Sequence, residues 1–460
     1  MSSSTRPYSL IEPARYLSRS EAEALAKRAL SFSKADEARV TINSGTRGNT
    51  RFAVNQISTA GDNYDTSVTV RSSFGKRSAS ATTNKLEDEA LRAVVDVSER
   101  LARLAPEDPE AMPELEPQQY QDTLGWSEST ANVDPLVRAT AVQSITGPAR
   151  AADLMSTGYL EITAGSLGVA NSKGLFAYSR RTDTALTSTV RTTDGTGSGW
   201  AGAAHSDWSR LEPASIGARA IEKAKLSANP VAIEPGRYTV ILEPTAVGNL
   251  VQLIAFALNA RNADEGRSFF TKTGGGNKIG LKVVDERVSL LSDPLDPDAY
   301  ANTFTGEGLP AGRTVWIENG VVKNLAYDRY WAQKQGKQPT PLVGTLRMSG
   351  GDSTIEQMIA STQRGVLVTR FWYIRPVDPR TILYTGLTRD GTFLIENGKI
   401  TRAVKNFRFN ESPIFMLNNL EAMGRPMRVS ASEDGSPGFA IVVPPIKTRD
   451  FAFTSLSDAI

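Results

Sequence analysis

One stretch, Tyr238 to Gly266 (YTVILEPTAVGNLVQLIAFALNARNADEG), limits the architecture more than any other. It opens with Tyr238-Thr239-Val240-Ile241-Leu242, β-branched and aromatic types that suit a pleated strand. Glu243-Pro244-Thr245 follows, and acid plus proline reads as a helix start. Val247, Leu250, Val251, Ile254 and Leu258 then recur at helical spacing, so one face of that helix is apolar. The unit calls for a C-terminal domain with a central buried helix.

Around this unit the chain reads mostly as antiparallel β. Ahead of it, Ser20 to Ser33 is a first helix, with Ser20 and Glu23 as a capping box. Alternating segments at 38–42, 49–55 and 66–71 are punctuated by Gly45, Gly48, Gly61 and Asn63, which predicts hairpins. Leu86 to Leu104 is a second helix, with Leu91, Val94, Val95, Val97 and Leu101 facing inward. Pro106, Pro109, Pro113 and Pro117, set among acids, make a solvated connector. A helix around 135–145 and strands at 159–164, 167–171, 176–182 and 186–192 follow, then a flexible glycine loop over Asp194 to Ala204. Pro213 to Leu226 is a helix, and Pro230 and Pro235 mark the domain boundary. The expected fold class is α+β: an N-terminal antiparallel sheet with packed helices over 1–228, and a barrel-like β domain over 229–460.

The C-terminal part carries two hairpins around Asn319-Gly320 and Asn397-Gly398, a sequence pair that favours type I′ turns. Strands are expected at 281–285, 287–291 and 439–443, and helices at 354–364 and 412–423.

Composition excludes several chemistries. There is no cysteine, so disulfides, thiolate zinc sites, iron–sulfur clusters and cysteine nucleophiles are ruled out. One histidine, His205, cannot form a two-histidine metal site, and no G-x-S-x-G elbow accompanies it. A formal net charge of +2 from 52 basic and 50 acidic residues gives no basic stripe for nucleic acid. The polar stretch from Met1 to Arg15 and the lack of any long apolar run point to a cytoplasmic protein and no membrane span.

The order of several landmarks resembles the TldD/PmbA family along nearly the whole chain. They are Thr50-Arg51-Phe52-Ala53-Val54-Asn55-Gln56-Ile57, Ala170 to Leu175, Pro235-Gly236, Glu318 to Asn324, Leu346-Arg347-Met348, and Leu394 to Ile400 before Val404-Lys405. Active members of that family carry H-E-x-x-x-H on the central helix, followed by E-G. Anchored on Glu265-Gly266, the histidine positions fall on Ala257 and Asn262 and the glutamate on Leu258. None of the three is a zinc ligand or a general base of the required kind. The resemblance therefore implies the TldE/PmbA-like branch, a non-catalytic subunit that holds no cofactor. Zinc is expected only in an H-E-x-x-x-H partner that acts on peptides, and homodimer formation is left open. Asn259, Arg261, Arg347 and Trp372 are expected to line the peptide cleft. Two alternatives stand beside it. One is a stand-alone hydrolase using Asp264 and Glu265 with a hard cation, or His205 as a base. The other is a regulatory binding protein akin to a DNA gyrase modulator.

Overall fold

The computed structural model describes residues 15–430 and 440–457. The fold is α+β. Six strands form the N-terminal sheet: β1 (Glu37–Ala53), β2 (Gln56–Phe74), β3 (Arg77–Thr83), β4 (Leu154–Asn171), β5 (Phe176–Thr192) and β6 (Ser198–His205). They pair antiparallel throughout, in the order β3-β2-β1-β4-β5-β6. Helices α1 (Arg19–Leu30) and α2 (Asp88–Leu104) cover one end of the sheet. The short α3 (Glu128–Ala131), α4 (Pro135–Ala151) and α5 (Pro213–Leu226) serve the other end.

Several glycines expected to break strands sit inside them instead. β1 runs unbroken through Gly45 and Gly48, and the hairpin turns at Val54-Asn55, both with positive φ. Gly45 is required by close approach rather than by a turn: a Cβ there would lie 2.7 Å from the Ala164 carbonyl oxygen and 2.8 Å from Gly165 Cα. The same correction joins 159–171 and 176–192 into two long strands, and it shortens the glycine loop to residues 193–197. Ser198–His205 is strand β6, in which Gly199 lets the backbone of α5 pack directly against it. Trp200 in that strand is buried. At α1 the capping box is made by Ser18 and Glu21, two residues earlier than Ser20 and Glu23. In α2, Leu91, Val94 and Val95 are buried, but Leu101 is exposed.

The connector is not solvated along its length. The Tyr120 hydroxyl donates to the Gly308 carbonyl at 2.6 Å, and the Asn171 amide donates to the Leu115 carbonyl at 2.7 Å. Arg329 donates to the Pro113 carbonyl at 2.6 Å, and Glu114 is 7% exposed. The connector is a strap pinned to both halves of the molecule.

In the C-terminal half, β7 (Gly236–Leu242) lies between the strands Arg364–Asp378, parallel to it, and Ile446–Leu456, antiparallel. Phe407–Glu411 and Leu383–Glu396 continue the ring, and pairing of Leu383–Glu396 with Arg364–Asp378 closes a five-stranded barrel. Phe371, Phe407, Phe409, Phe451 and Phe453 stack in its core. A second, six-stranded sheet carries the Asn319-Gly320 hairpin, and both Asn-Gly turns have the positive φ pair that a type I′ turn requires. Leu281 to Leu291 is largely irregular, with a strand only at Leu290–Ser292. The helix expected over 412–423 ends at Asn418, where Leu420–Met423 becomes a strand.

Between the barrel and that second sheet lies α6 (Pro244–Ala257), the helix anticipated from the apolar stripe. Val247, Leu250, Val251, Ile254 and Leu258 are all fully buried. Burial of each such side chain contributes about 1.5–3 kcal/mol. Glu243 stands at its N-terminus, where the helix dipole favours an anion, and is paired with Lys223 of α5 at 2.6 Å.

Candidate functional site

The helix does not continue through the positions where metal ligands are sought. α6 stops at Ala257, and Asn259 leaves helical geometry with ψ 118 before the short α7 (Ala260–Asp264) begins. Asn259 caps α7, its side-chain oxygen accepting from the Asn262 amide at 2.9 Å. The main chain of Ala326 fills the break: its N–H donates to the Leu258 carbonyl at 2.8 Å, and its carbonyl accepts from Ala260 at 2.9 Å. Leu258 points into the core with no exposed surface. Ala257 and Asn262, both half-buried, therefore lie on opposite sides of a break rather than on one continuous helical face.

The donor set around the break does not fit a metal ion. Both oxygens of Asp264 are taken, one by Asn277 Nδ2 at 2.7 Å and the other by Trp331 Nε1 at 2.7 Å. Glu265 is held between Arg267 and Arg261, and these contacts keep its carboxyl below the ordinary range. Among the described residues no cluster of three or more His, Asp, Glu or Cys side chains could hold a metal. His205 offers little as a base. Its Nδ1 accepts from the Asp207 amide at 2.9 Å, its Nε2 is buried without a partner, and burial followed by the nearby Arg428 lowers its pKa.

The four residues expected in a peptide cleft take separate places, and no hydrogen bond or ion pair joins them. Arg261 makes a bidentate pair with Glu110 of the strap (2.7 and 2.8 Å), reaches Glu265, and lies over the Trp331 ring. Asn259 is occupied as a cap. Arg347 is gripped by Asp296, at 2.5 and 2.7 Å, and by Asp298 at 2.7 Å, which strengthens its hold on its proton. Trp372 is half-buried between the guanidiniums of Arg370 and Arg389, each 5.2 Å from its ring centre. It lines a cavity of about 360 Å³ between the tip of the N-terminal sheet and the barrel.

Charged groups that the sequence did not single out tie the halves together. Arg428 reaches both oxygens of Asp183 at 2.8 and 2.7 Å, and both side chains are nearly buried. Asp390 accepts from Ser198 Oγ at 2.6 Å and from Arg370 at 2.9 and 2.5 Å. Ser198 and Asp390 lie 192 residues apart in sequence and Asp183 and Arg428 lie 245 apart, so no local pattern announces these two contacts.

Comparison with known proteins places this architecture. Three domain models match in succession: the PmbA/TldA metallopeptidase domain 1 at residues 38–102, the central domain at 138–228 and the C-terminal domain at 235–455. A metalloprotease of Methanothermobacter thermautotrophicus is 25% identical over 245 residues, covering 49% of this chain and 50% of that protein. A TldD-homologue metalloprotease of Buchnera aphidicola is 24% identical over 209 residues, 42% of each chain. The chain thus spans about half the length, or less, of these curated relatives. Among solved structures, TldE from Thermococcus kodakarensis superimposes with a TM-score of 0.81 at 19% identity, over 94% of this chain and 99% of that one. A Bacteroides thetaiotaomicron protein named for a modulator of DNA gyrase gives 0.79 at 21% identity, with the same coverage. At such identities these likenesses speak for the fold, and the three successive domain matches speak for descent: the chain belongs to the PmbA/TldD family.

Proposed function

We propose that the chain is the metal-free, non-catalytic subunit of a two-subunit metallopeptidase that processes unfolded or small peptides. Its partner would be a TldD-like chain carrying H-E-x-x-x-H. The observation that carries this reading is the break at Leu258-Asn259: the two ligand positions, Ala257 and Asn262, lie on either side of it, and the base position is the core side chain of Leu258. The single histidine and the absence of cysteine support it, because the chain cannot assemble the two-histidine site from its own residues. In this reading Asn259, Arg261, Arg347 and Trp372 contribute to the wall of the peptide cleft, and the complex works in the cytoplasm. The described part of the structure contains no helix long and apolar enough to cross a membrane.

The test is co-expression with an H-E-x-x-x-H relative, followed by sizing and a peptide-cleavage assay. The reading expects a stable complex, cleavage by the complex, and none by this chain alone. Chelator-resistant cleavage by the purified chain would defeat it. Direct DNA binding draws no support from the balanced charge, and a gel shift at low and moderate salt checks that point.

A further inference from the structure

Where the strap passes between the two halves it closes a cavity of about 750 Å³, well within the size range of small-molecule sites. Its wall draws on Arg39 and Arg71 of the N-terminal sheet, Glu114 of the strap, and Glu307 and Arg329 of the C-terminal half. Most of these groups are satisfied. Glu307 accepts from Arg329 at 3.0 Å, and Arg71 donates to Ser78 Oγ at 2.8 Å. Arg39 and Glu114 are not. Arg39 Nη1 stands 3.5 Å from Glu114 Oε2, an ion pair too long for a strong hydrogen bond. Glu114 is 7% exposed, and Oε2 has no hydrogen-bond partner. A buried carboxylate oxygen left without a donor is costly, and the guanidinium beside it has donors to spare.

We propose that this cavity binds a small zwitterion, an α-amino acid or a short peptide with free termini, its ammonium on Glu114 and its carboxylate on Arg39. A zwitterion seated beside the loose pair sets its ammonium against the Glu114 carboxylate and gives the guanidinium a planar acceptor that it can engage bidentately. The carboxylates of Glu37 and Glu307 add negative potential beside the ammonium, and Arg71 adds a second cation beside the carboxylate. Burial pushes the Glu114 carboxyl above its ordinary range against the pull of Arg39, and an arriving ammonium relieves this. A metal ion is a poor alternative, because no cluster of acidic ligands converges there. The site goes beyond the subunit reading and needs neither a partner nor cleavage.

The test is calorimetric titration of the full chain with L-alanine, Ala-Ala and Ala-Ala-Ala, and with the tripeptide N-acetylated or C-amidated. The expected result is saturable binding of at least one free zwitterion, weakened about tenfold or more by blocking either terminus. Glu114→Gln should weaken the free form to a similar extent and leave the N-acetylated form unchanged. Arg39→Gln, or Arg39→Lys if that variant folds poorly, should do the same for the carboxylate end. Tightest binding by alanine assigns a free amino acid, and tightest binding by the longer forms assigns a peptide. The proposal is overturned by no binding at millimolar concentrations, by binding indifferent to both blocks, or by unaltered binding in both variants. None of these results bears on complex formation, so its failure and that of the subunit reading remain distinguishable.

Discussion

Two arginine–carboxylate contacts near the junction of the halves, Arg370–Asp390 and Arg39–Glu114, are built in opposite ways. At Asp390 the carboxylate is buried and fully engaged, by Arg370 through two donors and by Ser198 through a third. Glu114 is also buried, 7% exposed against 2% for Asp390, but Oε2 of its carboxylate has no hydrogen-bond donor and the nearest guanidinium stands off at 3.5 Å. The two acids are accordingly pushed in opposite directions. Burial opposes ionisation of Asp390, yet Arg370, Ser198 and Arg389 outweigh it and hold its pKa down. At Glu114 burial prevails and the pKa rises. The lesson is that the number of donors, not burial, separates a structural tie from an open site.

The largest effect should come from breaking the closed contact. Asp390→Ala leaves Arg370 buried without its partner and should cost about 3–5 kcal/mol in denaturant unfolding. A loss under about 1 kcal/mol would end the distinction between the two contacts. Leu258→Ala provides an apolar yardstick, since that side chain has no exposed surface and no polar role. It should cost about 3 kcal/mol, equally at pH 5 and pH 8. Asn259→Ala removes only the cap of α7 and should cost about 1 kcal/mol.

The smallest effect belongs to the open contact, and its sign sharpens the comparison. Glu114 has a raised folded pKa, so its protonated form is the better accommodated one. The stability it contributes is complete below the unfolded pKa, about 4.3, and is lost as pH rises through the folded value. Glu114→Gln should therefore leave stability at pH 7 unchanged or slightly higher, within about 1 kcal/mol. Asp390 runs the other way. Its contribution is complete above about pH 3.9 and is lost as pH falls through its depressed folded value. Unfolding of wild type and Glu114→Gln between pH 4 and pH 8 checks the first sign, and acid unfolding of Asp390→Asn checks the second.

What could be read from the sequence follows the range of the interactions involved. β7 and α6 were legible because their signals are local: a run of β-branched residues, a proline at the helix start and an apolar stripe at helical spacing. The two Asn-Gly hairpins were legible for the same reason. Glycine misled where its role was packing. Gly45 lies against the backbone of β4, and Gly199 lies against α5, so neither marks a loop. The end of α6 was legible in composition but not in shape. Ala257, Leu258 and Asn262 plainly lack ligands, yet the break between them depends on the main chain of Ala326, far along the sequence. The strap was the least legible part. Acids among prolines look solvated, and only the folded arrangement buries Glu114 beside Arg39.

The central claim is that this chain shapes a metallopeptidase without holding its metal. The most direct measurement is the zinc content of the purified chain, of an H-E-x-x-x-H partner and of their complex, after the same exposure to zinc and desalting. The account predicts zinc in the partner and in the complex in equal amount per pair, and none retained by this chain alone. It also predicts no change in the complex when Asp264 and Glu265 are replaced by alanine. Stoichiometric zinc held by this chain alone, or lost from the complex on those replacements, would contradict it.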